Sequence, residues 1–167
     1  MTTPLAPLVA ALLRRELAAL RRSVEAYPDD ASVWRLPAGV PNAAGTLVLH
    51  CAGNLCHYLG AVLGGDGYRR DRDAEFARRD VPRAELLAEL DAAAAAVDRG
   101  LAGRTDAELD AEYPEAVGGR RLAARDFVLH LAAHLAYHLG QVDYHRRAVT
   151  GDARAVGAVA LAELPGG

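Results

Sequence analysis

The stretch HLAAHLAYHLGQ, residues 130–141, places His130, His134 and His138 at a strict four-residue spacing inside an otherwise apolar run. Four is a helical period. Each residue turns a helix by about 100°, so positions four apart differ by only about 40°. The run predicts a long helix over about 123–150, stopped at Thr150 with Gly151 as its C-terminal cap. Gln141 and His145 fall in the same stripe, flanked by Leu131, Leu135, Leu139 and Val142. Such a helix turns imidazoles toward the side it would normally bury. A polar group buried there must be paired or must coordinate something.

Three further helices follow from the same reading. The first covers about 4–26, with Leu5, Leu8, Leu12, Leu13, Leu17 and Leu20 on one stripe, and Arg14, Arg15, Arg21 and Arg22 turned to solvent. The second covers about 43–63. The third covers about 82–100, with Pro82 in its first turn and Leu86, Leu90, Ala94 and Val97 inward. Hydrophobic residues are 51% of the 167, mostly alanine and leucine, while aromatics are 5%, which favours helix over strand. The expectation is an all-α fold, a four-helix bundle forming one domain over 1–167. In the first connection Trp34 is expected to seal the loop onto the helices. The charged segment GGDGYRRDRDAEFARRD, 64–80, is expected to be a long crossover loop with solvated arginines. EAVGGRRL, 115–122, reads as a tight turn or small hairpin, and 151–167 as an extended strap or short turn.

Charge and cysteine usage narrow the function classes. A net charge of −3 argues against nucleic-acid binding, which needs a basic face. The apolar run near the N-terminus is broken by Arg14, Arg15 and Glu16 and reads as a helix rather than a leader. No stretch approaches about 20 uninterrupted apolar residues, so no membrane partner is expected. Cys51 and Cys56, five apart on one helix, face different directions and predict no disulfide, which suits a reducing cytoplasm. Neither reads as a nucleophile.

Two imidazoles one helical turn apart can share a metal ion. The sequence His134-Leu135-Ala136-Tyr137-His138 lacks the glutamate of a zincin protease. A third ligand is available on the second helix, where His50, Asn54 and His57 share one side. Spacing alone fits His50, His134 and His138 equally as metal ligands or as a hydrogen-bond network. His57, His130 and His145 read as hydrogen-bonded core or groove residues.

Three patterns together resemble the DinB-like (YfiT-like) superfamily. One is H-x3-H-L-G-Q on the last helix. Another is Trp34-Arg35-Leu36-Pro37 followed by Thr46-Leu47-x-Leu49-His50-x3-Asn54. The third is Y-H-L-G-Q-x2-Y-x-R-R from Tyr137 to Arg147. The resemblance implies up-down-down-up connectivity and a divalent metal, zinc or nickel, held by His50, His134 and His138. It puts Asn54 and Gln141 near the site, with His57 and His130 as neighbours. It also implies thiol-dependent chemistry like that of bacillithiol S-transferases and mycothiol-dependent maleylpyruvate isomerase. The expected activity is thiol S-transfer or hydrolysis of a small electrophile at an open metal position, with a low-molecular-weight thiol as partner. The alternative is a non-catalytic binding or stress-response module with a structural metal or buried histidine network. Either permits a homodimer.

Overall fold

The computed structural model describes residues 4–164; the ends of the expected single domain and of its C-terminal strap, 1–3 and 165–167, lie outside the described residues. The helices in chain order are α1 (Leu5–Glu25), α2 (Asp30–Val33), α3 (Ala44–Leu55), α4 (Arg72–Ala77), α5 (Arg83–Leu101), α6 (Asp106–Asp110) and α7 (Ala124–Thr150). A π-helical segment, Cys56–Leu63, continues α3, and a 3-10 turn spans Leu161–Glu163. Among the described residues there is no β-strand, only isolated bridges at Glu112–Ala123 and Val117–Arg120. The second closes the turn expected around Gly118 and Gly119, both at positive φ.

α1, α3 with its π continuation, α5 and α7 are the long rods. Side-chain pairs fix their directions. Arg14 meets Asp98 and Arg21 meets Asp91, so α1 and α5 run antiparallel. His50 meets His134 while Tyr58 meets Phe127, so α3 and α7 run antiparallel. Tyr27, just past α1, meets His145 near the end of α7, so those two are parallel. Between the rods lies a core that includes Leu13, Leu20, Leu59, Leu86, Leu131 and Leu135, all essentially inaccessible to solvent. Burying such a side chain contributes about 1.5–3 kcal/mol.

Several sequence expectations are corrected here. The buried stripe of α1 runs through Ala6, Val9, Leu13, Leu17, Leu20 and Val24, leaving Leu8 exposed at 38%. Arg15 is buried rather than solvated, because its guanidinium pairs with the buried Glu16 at 2.9 and 2.5 Å. The crossover segment contains α4, started by the Asp71 side chain, which accepts from the Ala74 amide at 2.9 Å. The Asp29 cap on Ser32 starts α2, and a Thr105–Glu108 capping box starts α6.

Trp34 does seal the first connection. Its indole N–H donates to the Val81 carbonyl at 2.9 Å, and its ring lies where a Cβ on Gly45 would be. Arg146, fully buried, donates to the Asp143 carboxylate and to the carbonyls of Asp152 and Arg154, fastening the strap after α7. Ala44–Leu63 is long and apolar enough, by length and composition, to cross a membrane, with mean hydropathy 1.3. Yet 72% of the 18-residue window that gives this value is buried within the protein.

The π segment docks where α5 is thinnest. A Cβ on Gly100 would overlap the Leu59 carbonyl oxygen, and one on Gly60 would crowd Ala96. Gly100→Ala is therefore expected to destabilise the protein in urea unfolding. The overlap costs about 1–3 kcal/mol, while the better helix propensity of alanine returns only about 1 kcal/mol.

Candidate metal centre

α3 and α7 bring His50, His134 and His138 together, with one ring nitrogen of each within 4.8 Å of the other two. The Nε2 atoms of His50 and His134 are 3.2 Å apart, and those of His138 and His134 are 3.1 Å apart. His134 and His138 are neighbours because they are one turn apart on α7. His50 reaches them because α3 crosses α7 at that level.

The outward nitrogens are held. His50 Nδ1–H donates to Glu75 Oε2 at 3.0 Å, and His138 Nδ1–H donates to Gln141 Oε1 at 2.7 Å. Arg70 grips Glu75 with two donors, at 2.7 and 2.9 Å. Burial would raise the Glu75 carboxyl, but hydrogen bonds from His50 and Arg70 and the guanidinium charge outweigh it and hold the group below its ordinary range. Phe76, also on α4, packs its ring 5.0 Å from that of His50.

These bonds fix tautomers. With protons on Nδ1, His50 and His138 each present a bare Nε2 lone pair to the centre. His134 Nε2 faces both and can donate to only one. The cluster thus has one proton at most for two close contacts. Three neutral imidazole nitrogens converging on one point, two of them backed by a partner on the far nitrogen, form a donor set that suits a metal ion. These histidines are positioned to bind a metal ion. Burial, with the neighbouring imidazoles and Arg70, pushes His134 down to about 4, and burial lowers His138 too. Both are neutral near pH 7, the state a metal requires.

The other expected neighbours are spread around this cluster. Gln141 is on it, through His138. Asn54 is buried one turn along α3, with its Oδ1 unpartnered. His130 is exposed, its ring 6.1 Å from that of His134 and stacked on Phe127 at 6.0 Å. His57 turns to Glu115, donating from Nε2 at 3.2 Å, and its Nδ1 is buried without a partner. His145 stands apart: it donates from Nε2 to the Arg35 carbonyl and accepts from the Tyr27 hydroxyl, each at 2.7 Å. Cys51 and Cys56 are unbonded thiols. Burial lifts them to about 12 and about 11, so neither is a thiolate at neutral pH.

Sequence reasoning missed Arg70, Glu75 and Gly53. The arginines of the 64–80 segment were expected in solvent; Arg70 departs from this, with only 11% of its side chain exposed. A Cβ on Gly53 would overlap the Glu75 carboxylate. The glycine one turn after His50 is therefore what lets α4 lay its carboxylate across α3. The one readable signal was the helix start at Asp71, four residues before Glu75.

The chain matches the DinB superfamily over residues 12–142 and belongs to that family. That span includes all three histidines, Glu75 and Gln141. No curated protein and no solved structure matches it.

Two outcomes test this geometry. Gly53→Ala should lower stability although it replaces glycine inside a helix, where alanine is otherwise better by about 1 kcal/mol. It should also remove the hydrogen-bonded His50 Nδ1–H resonance from the proton spectrum. In protein stripped of metal, stability should fall as pH drops from about 6.5 toward about 4. Over that window the unfolded chain protonates a histidine that the fold keeps neutral, so acid favours unfolding. Urea midpoints across pH should show this slope, and His134→Asn should flatten it.

Proposed function

We propose that the chain is a divalent-metal-dependent enzyme that performs thiol S-transfer or hydrolysis on a small electrophile, with zinc or nickel held by His50, His134 and His138. The observation that carries this reading is the proton count: two tautomer-fixed lone pairs converge on a third imidazole that can satisfy only one of them. When bound, a metal ion supplies Lewis acidity that lowers the pKa of a coordinated thiol or water.

The chain's own groups account for the rest. Glu75 orients His50 and strengthens its electron donation, and Arg70 keeps Glu75 ionised. Gln141 performs the orienting role for His138. His134 and His138 are only partly buried, and exposed His130 and Tyr137 lie beside them on α7, which supports access for a small molecule. Unpartnered Asn54 Oδ1 offers a hydrogen-bond acceptor one turn from His50. The pairings of the long helices support an up-down-down-up four-helix bundle, and unbonded buried thiols suit a cytoplasmic setting.

Mass spectrometry of untagged protein should find about one equivalent of zinc, nickel or another divalent ion, and His134→Ala should lose it. Glu75→Gln should weaken metal affinity by about 10–100-fold. Absence of metal from the parent even after incubation with zinc or nickel would sink the enzyme reading. The cluster would then be a hydrogen-bonded network in a binding module.

A further inference from the structure

Beside the histidine cluster, along the groove between α3 and α7, lies a cavity of about 370 Å3 roofed by the segment between α2 and α3. That volume is within the range of small-molecule sites, about 300–1,000 Å3. Its walls are apolar, from Val40, Pro41, Leu47, Tyr144 and Ala148. Its polar atoms come from Asn42, Gln141 and His145. Gln141 belongs to both places: it lines the cavity, and its Oε1 accepts the hydrogen bond from His138 Nδ1–H. Leu47 stands one turn before His50 on α3. The cavity thus adjoins the centre through Gln141.

Among the described residues, no Asp, Glu, Lys or Arg lines this cavity. His145 adds no charge either. Burial lowers its pKa, and both ring nitrogens are engaged, one donating to the Arg35 carbonyl and one accepting from Tyr27. Two guanidiniums stand outside these walls: Arg147, 5.9 Å from the Tyr144 ring centre, is paired with Asp143 at 2.9 Å, and Arg35 donates to the Val149 carbonyl at 3.3 Å. On the other side of the cluster the charge is concentrated, with Arg70 and Glu75 against His50. An anionic group held against these walls would lose hydration and find no cation in the lining to replace it; a metal ion on the histidines would lie beyond Gln141.

We propose that this cavity holds the body of an uncharged, apolar small substrate, with its reactive end directed to Gln141 and His138. The assignment rests on the reading of the site as a metal-dependent enzyme, and it narrows the electrophile to a neutral one. Gln141 then has two functions, orienting His138 with its carbonyl and offering its amide N–H to the substrate's polar end. Asn42 offers a further hydrogen bond across the cavity.

The test uses nitrobenzene and benzoate, which share size and shape and differ by one negative charge. Ligand-observed NMR titrations would be run on the parent, Ala148→Trp and Val40→Asp after removal of metal by a chelator, so that benzoate cannot coordinate an ion, with metal content measured on each protein as purified and folding checked by circular dichroism. Nitrobenzene should bind the parent at least about tenfold tighter than benzoate, because the anion goes uncompensated. Both substitutions should weaken nitrobenzene by about fivefold or more, one by filling the cavity and one by charging it, with metal content unchanged. Val40 lies in a partly exposed loop, so Val40→Asp keeps the test informative if Ala148→Trp does not fold. Benzoate binding as tight as nitrobenzene, no nitrobenzene binding to the parent, or binding that survives substitution would overturn the assignment. Metal content separates the two readings. The expected binding pattern in a protein that holds no metal as purified or after incubation with zinc or nickel sinks the metal enzyme and leaves the cavity, while metal content of about one equivalent without nitrobenzene binding does the reverse.

Discussion

The contact between Glu75 and His50 organises the centre of this protein. An imidazole has two nitrogens, and which one carries the proton decides whether the ring offers a lone pair or a hydrogen. By accepting from Nδ1, Glu75 commits His50 to present Nε2 toward α7. A buried carboxylate can do this only while ionised, which in turn requires Arg70. Two residues of the crossover segment, Arg70 and Glu75, thus set the state of one ring on α3. Gln141 sets that of His138 more cheaply, from within α7 itself.

This division of labour explains the need for a short helix inside the charged crossover. α7 can supply two ligands and one orienting group by spacing alone, because residues three and four apart share a face. α3 supplies His50 but no orienting group, since the positions around His50 are occupied by core residues such as Leu47, Cys51 and Leu55. The missing carboxylate comes from outside the rods. α4 brings Glu75 and Phe76 over His50 together, one as an acceptor and one as an apolar lid.

The long helices and the histidine triad were legible because their signals are local. Pro28, Pro82 and Gly151 punctuate the chain near the ends of α1, α5 and α7. His134 and His138 share a face by arithmetic. What was not legible depends on tertiary fit. Nothing in the composition of RRDRDAEFARRD separates half-buried Arg70 and buried Glu75 from the exposed Arg69 and Arg72 around them. Their fate is decided by a space on α3 that only the fold reveals. The π segment was hidden for a related reason: its residues suit an α-helix equally well, and its form is stated only by backbone bonds such as Gly64 N–H to the Leu59 carbonyl, five residues back. Arg15 was placed in solvent because its partner, Glu16, is adjacent in sequence, where helical side chains do not ordinarily face each other.

The gap at Gly53 has a chemical meaning beyond packing. How strongly an imidazole donates electrons depends on how closely a carboxylate approaches its far nitrogen. Here that approach is limited by what stands on the helix beneath the carboxylate, and nothing does. The donor strength of His50 is thereby set by the one residue of the centre that has no side chain, and a single methyl group there would detune an imidazole it never touches.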